Sequence, residues 1–180
     1  MTQRAPALPA EERRASIIDA TVPLLIRDGL QVRTTDIAAA AGIAEGTIFR
    51  VFPDKRALLI ATIRAVCDST EMDRAIDAID RGGSLTDQLT AAIAIMQRRF
   101  VEVWQVLTAV GPRVPTPRPR DQKALARLLK PFAAKLVCSP AEAARQIAAI
   151  VIATSLPTMY PDAPLSPDRI SRLVLNGLAR

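Results

Sequence analysis

Histidine is absent from all 180 residues. That absence removes Ser-His and Cys-His nucleophile pairs and every histidine metal site. Cysteine is nearly absent: Cys67 and Cys138 lie seventy-one residues apart with no CxxC, so neither a metal nor a redox motif is present. Both read as small buried hydrophobes, with a thiol sensor as the alternative. Aromatic residues make up 3% of the chain and glycine occurs only 7 times. No apolar run reaches the length of a membrane span, and the opening MTQRAPALPAEERR lacks the apolar centre of a signal peptide. The expectation is a soluble cytoplasmic protein without metal or cofactor. No spacing of carboxylates or lysines points to an enzyme.

What is present favours helices. Hydrophobic residues are 49% of the chain, and Ala, Leu, Ile and Arg are plentiful. These types lose little side-chain freedom in a helix. The length suits one ordinary domain, or one small and one medium domain. The net charge of +6 tempts a nucleic-acid reading, but its distribution argues for caution. Residues 1–56 carry eight basic and seven acidic groups, whereas residues 113–135 carry seven basic groups against Asp121 alone. The excess therefore lies outside the segment that the motifs implicate.

Punctuation divides the chain into helices. Pro9 with Glu11 and Glu12 opens a first helix carrying Ile17, Thr21, Leu24 and Leu25, closed by Gly29. Pro23 lies inside it and is expected to kink it. Thr34 is expected as the N-cap of a short helix over 35–41, closed by Gly42. A third short helix follows over about 45–51, stopped by Pro53. Asp54 then caps a long fourth helix reaching toward 81, and Gly82-Gly83 break the chain. Ser84 and Asp87 form a capping box for a helix to about residue 110. The stretch GPRVPTPRPR (111–120) is an extended basic loop, and a helix is expected over about 122–137. Ser139-Pro-Ala-Glu142 and Ser166-Pro-Asp168 open the last two helices. No alternating strand pattern and no internal repeat is evident. The predicted fold class is all-α.

Helix 34–41, the turn at Gly42 and helix 45–51 have the dimensions of a helix-turn-helix, whose second helix enters the DNA major groove. Ile37, Ala38, Ala41, Ile43, Ile48 and Phe52 can form the core beneath the corner. By pattern alone the same corner could be purely structural.

Residues 13–60, from RRASIIDATVPLLIRDG through TTDIAAAAGIAEGTIFRVFPDKRALL, resemble the N-terminal domain of TetR-type (tetracycline-repressor-like) transcriptional regulators. The matching positions are Ile18, Ala20, Gly29, Ile37, Ala38, Ala41, Gly42, Gly46, Thr47, Phe52, Lys55 and Leu58. The resemblance covers about a quarter of the chain; the later helices agree only in number and order. It implies an N-terminal helix-turn-helix DNA-binding domain over 1–56 and an effector-binding and dimerisation domain over 57–180. It also implies phosphate contacts by Thr34, with Thr35 beside it, and by Thr47 and Lys55. A hydroxyl at a helix start and an ammonium both suit that role. Glu45, Gly46 and Arg50 would face the groove, where Arg50 can fork onto guanine and Glu45 can accept from a cytosine amine. The alternative for Glu45 and Arg50 is a solvated helix face.

Three positions depart from the family pattern. Phe49 stands where a tyrosine hydroxyl usually reaches a phosphate, which leaves a purely core role open. Val51 replaces a frequent histidine. Ala44 replaces a common serine, so the recognition helix loses a cap. Each loss weakens a half-site, and dimerisation would then supply much of the affinity.

The resemblance further implies a homodimer built on the last two helices and an effector pocket among the middle ones. Ile147, Ile150 and Val151 with Thr154, and Ile170, Leu173 and Val174 with Leu178, form two apolar stripes. These are the candidate dimer interface, with intramolecular core as the other fate of such stripes. Met96, Phe100, Trp104, Gln105 and Thr108 are the candidate effector pocket, set against a plain core helix with a structural tryptophan. A neutral or anionic apolar effector is favoured over a cationic one, because Arg98, Arg99 and the basic 113–135 stretch lie nearby in sequence. The leading function is a ligand-responsive transcriptional repressor on a palindromic DNA operator. The alternative is a small-molecule-binding helical protein without sequence-specific DNA binding.

Overall fold

The computed structural model describes residues 9–111, 122–156 and 163–178. The basic 111–120 stretch lies outside these residues save for Gly111. The described residues form nine α-helices and two 3-10 segments. The all-α expectation therefore holds. By packing, the chain divides into one compact unit of residues 1–67 and 105–117, and a second of residues 68–104 and 118–180.

In the first unit, α1 (Ala10–Asp28), α2 (Thr34–Ala40), α3 (Glu45–Val51) and α4 (Lys55–Val66) pack around one core. Ile17, Leu25, Val32, Ile37, Ile48, Phe52 and Leu58 fill it and are essentially inaccessible. Helix α1 continues through Pro23, which is exposed on the same face as Asp19, its would-be hydrogen-bond partner four residues back. Thr21 and Thr62 are buried, and their hydroxyls donate to the carbonyls of Ile17 and Leu58 one turn earlier. Asp54 caps α4 as expected, its carboxylate accepting from the Ala57 amide at 2.7 Å.

Two sequence expectations need correction here and in the second unit. The fourth helix does not reach 81: it ends at Val66, and α5 (Thr70–Asp77) starts afresh. Asp68 makes the break, its carboxylate accepting from both the amide and the hydroxyl of Thr70. This local bonding competes with continued helix. The helix expected over 122–137 is likewise shorter, α7 (Lys123–Leu129), with a 3-10 segment over Lys130–Lys135. Pro131 supplies the reason, since it has no amide hydrogen to continue the ladder and crowds the preceding turn.

The second unit is built from α5, α7, α8 (Pro140–Ser155), α9 (Pro167–Leu178) and the first part of α6 (Leu85–Val110). Ser84 and Asp87 form the reciprocal capping box expected from their spacing. Ser139 caps α8 by accepting from the Glu142 amide at 3.2 Å. Leu89, Ile93, Met96, Leu125, Leu128, Ile147, Val151 and Ile170 belong to one continuous buried cluster. Gln97 on α6 donates to the Ser155 hydroxyl and to the Leu165 carbonyl, tying α6 to the end of α8 and the entry to α9.

Candidate nucleic-acid interface

The corner between α2 and α3 is closed by Gly42 at φ 65°, a left-handed conformation that suits glycine. The Gly42 amide donates to the Ala39 carbonyl and the Ile43 amide to that of Ala38. Both turn donors are thereby satisfied by carbonyls at the end of α2. Ile37, Ala38, Ile48 and Phe52 are buried beneath the corner, while Ala41 and Ile43 are half-buried. Ile48 of α3 and Phe52 just after it thus point inward. What remains on its outer side is fixed by elimination.

Gly46, Phe49 and Arg50 are exposed, and Glu45, Thr47 and Val51 are half-buried. Phe49 is 46% exposed, which excludes the core role left open for it. A large aromatic on an outward helix face is a costly thing to leave in water unless something covers it. Ala44 occupies the N-cap of α3 without any side-chain cap bond. The loss read from the missing serine is real.

Thr34 is the first residue of α2 rather than its cap, a position held by Arg33. The Thr34 hydroxyl turns instead across the corner and donates to the Glu45 carboxylate at 2.5 Å. Thr35 beside it is exposed. Lys55, at the start of α4, donates from Nζ to the Leu30 carbonyl at 2.9 Å. An ammonium has three donors, so this bond leaves two for another acceptor.

Sequence reasoning missed one contribution to this face. A cleft of about 560 Å³ runs beside α3, lined by Glu11, Arg13 and Arg14 of α1 and by Thr47, Arg50 and Val51. The Arg14 guanidinium carbon sits 4.4 Å from the centre of the Phe52 ring, a cation–π arrangement that orients it. Three guanidinium groups against one carboxylate make the cleft suited to an anion. The signal was Arg13-Arg14 one to two turns ahead of Ile17 and Thr21, legible only once α1 and α3 are seen to share a wall.

The remaining candidates lie in two other places. Met96 is fully buried, Phe100 and Trp104 are half-buried, and Gln105 and Thr108 are exposed. The Thr108 hydroxyl donates to the Gln105 carbonyl at 3.1 Å. Arg99 is engaged by Glu102 and by the Asp68 carbonyl at 2.7 Å each. Of the two C-terminal stripes, Ile147, Val151, Ile170 and Val174 are buried in the chain's own core. Ile150 is half-buried, and Leu173 is 55% exposed.

No group of three or more Cys, Asp or Glu able to hold a metal occurs among the described residues. No helix among them is long and apolar enough to cross a membrane.

Comparison with known proteins agrees with this geometry. Residues 17–62 match the family model of bacterial regulatory proteins, tetR family. Over 94 residues the chain is 32% identical to YvkB, an uncharacterized HTH-type transcriptional regulator of Bacillus subtilis (strain 168); the match covers 48% of this chain and 50% of the relative. The chain thus spans about half the length of that relative. Solved structures share the fold over nearly the whole chain. A TetR/AcrR-family regulator from Thermobifida fusca is 24% identical with a TM-score of 0.63, covering 94% of this chain and 100% of its own. A structure described as the molecular basis for control of antibiotic production by bacterial hormones has a TM-score of 0.70 at 19% identity, covering 94% and 98%. A gamma-butyrolactone receptor (ArpA-like protein) has a TM-score of 0.57 at 21% identity, covering 96% and 91%.

Proposed function

Because this chain belongs to the tetR family of bacterial regulatory proteins through residues 17–62, we propose that it is a ligand-responsive transcriptional repressor. In this reading two copies bind a palindromic operator, and a small-molecule effector releases it. The observation that carries the DNA-binding part is the outward face of α3. Phe49 and Arg50 are exposed there, beside a cleft that adds Arg13 and Arg14. A corner that served only to join helices would not need an exposed aromatic on its outer face next to an arginine-lined cleft.

The chemistry of the face assigns the roles. Arg50 can donate two parallel hydrogen bonds to a guanine edge. Lys55 and Thr47 hold the backbone, which supplies affinity without sequence preference. Residues 1–56 form the reading head in this division of labour, and 57–180 the effector and dimer part. Among the described residues, Leu173 and Ile150 are accessible apolar members of the C-terminal stripes, so the dimer contact centres on them. The buried members support the same surface from within.

The effector enters along α6 near Phe100 and Trp104, both half-buried. It binds a conformation whose recognition helices no longer match adjacent grooves, and so shifts the population away from DNA. A neutral or anionic apolar compound fits these residues, and a gamma-butyrolactone belongs in the panel to be tried. A gel shift with DNA flanking the protein's own gene tests the core of this reading. A discrete complex that survives excess random DNA is expected; binding indistinguishable from random DNA overturns it. Trp104 is the sole tryptophan, so its emission reports on the effector site during the same titrations.

A further inference from the structure

The family pattern would send the Thr34 hydroxyl to a phosphate, but that hydroxyl already has an acceptor. It donates to Glu45 Oε1 at 2.5 Å, the length of a charge-assisted bond between hydroxyl and carboxylate. A threonine hydroxyl carries one hydrogen, whereas carboxylate and phosphate oxygens only accept. The same proton cannot serve both. Handing it to DNA would strip Glu45, half-buried at the start of α3, of its donor just as a polyanion arrives. Lys55 faces no such choice, because its bond to Leu30 uses one donor of three.

We infer that Thr34 is a positioning residue, which fixes the Glu45 carboxylate for reading a base, and that the exposed neighbour Thr35 supplies the hydroxyl for the phosphate. The inference rests on the DNA-binding reading above and assigns specificity within it. Thr34 opens α2 and Glu45 opens α3, so the bond clamps the first residues of both helices across the turn. It occupies one carboxylate oxygen and leaves Oε2 free of that bond. An unheld glutamate would swing away from the phosphates and would lose its rotamer freedom on docking. A clamped one arrives oriented. As an acceptor without a hydrogen, it recognises only amino edges in the major groove, the N4 amine of cytosine or the N6 amine of adenine. The base pair beneath Glu45 is therefore one that presents an amine on that side.

The experiment uses the full-length protein and a site selected from random DNA by the wild type. Affinities for that site and for all its single-base variants are measured for wild type, Thr34→Val, Thr34→Ser, Thr35→Val and Glu45→Ala. Thr34→Val and Glu45→Ala are expected to lose about tenfold of discrimination at the same base pair of each half-site. Thr34→Ser retains it, and Thr35→Val weakens every sequence alike. The double variant Thr34→Val/Glu45→Ala loses no more discrimination than Glu45→Ala alone. Should Thr34→Val fail to fold, Thr34→Ala removes the same hydroxyl without adding bulk. The inference is overturned if removing the hydroxyl weakens all sequences equally with discrimination intact, or if the two losses add. A wild type that selects no sequence overturns the DNA-binding reading and this inference with it.

Discussion

Gly29 and Ala109 lie so close that no side chain fits between them: a β-carbon on Gly29 would stand 2.6 Å from the Ala109 carbonyl oxygen. Gly29 also adopts φ 57° and ψ −143°, a region open essentially to glycine. It ends α1 and turns the chain into the 3-10 segment whose Leu30 carbonyl receives Lys55. Gly29→Ala therefore meets strain and a backbone clash together. A loss of about 1–3 kcal/mol or more is expected. Gly42 provides the control, because its φ of 65° is similar but nothing lies within 4 Å of an added β-carbon. Its alanine variant carries only the left-handed cost, about 1–2 kcal/mol. Denaturant melts that rank Gly42→Ala as the more damaging would contradict this account.

Phe49→Tyr is expected to tighten DNA binding modestly. The ring is 46% exposed, so an added hydroxyl meets solvent in the free protein and a phosphate in the complex. Phe49→Ala is expected to leave thermal stability within about 0.5 kcal/mol, as for surface substitutions generally. Filter binding and a melting curve on the same samples check both. A large loss of stability would place the ring in the core.

Leu173 and Val174 are neighbours with opposite fates, 55% and 2% exposed. Leu173→Glu is expected to give folded monomers, since it puts a charge on the surface assigned to the partner. Val174→Glu instead buries an unpaired charge within the chain and is expected to unfold the second unit. Light scattering with circular dichroism separates the outcomes. Folded dimers of Leu173→Glu would move the interface elsewhere.

Arg127 on α7 grips Asp77 on α5 with two hydrogen bonds, at 3.1 and 2.5 Å. These bonds, with the guanidinium charge behind them, hold the Asp77 carboxyl below the usual carboxylate range, partly offset by desolvation. A lowered folded value makes the contribution present above the ordinary aspartate range and lost as pH falls through the folded value. Asp77→Asn is thus expected to lower the melting temperature slightly at neutral pH and not at all in strong acid. Both side chains are about half exposed, so high salt shrinks the effect. A penalty that persists in acid would assign Asp77 another role.

Much of this was legible in the residues, and the failures have physical causes. Caps announced themselves: Asp54, Ser84 with Asp87, and Ser139 each bond the amide that their spacing implied. Gly42 and Pro53 likewise bounded α3 by local backbone preference. Asp68 was missed because a single Asx turn within a run of helix-forming residues leaves no glycine or proline to mark it. Pro131 was visible, yet its effect is a change to 3-10 geometry within an unbroken apolar stripe rather than a stop. The fates of Val174 and Leu173 could not be separated, since periodicity shows which residues share a stripe and not what covers it. The Thr34–Glu45 bond joins two helices whose crossing no sequence pattern specifies.

The claim at the centre is that α3 reads DNA sequence through Arg50. Its most direct test is the affinity of wild type and Arg50→Ala for the selected operator and for random DNA, each over a range of salt. The expected result is a loss of about 1–3 kcal/mol on the operator with much less on random DNA, so that discrimination falls while the salt slope changes by at most about one contact. Equal affinities of the two proteins for the operator would contradict the account.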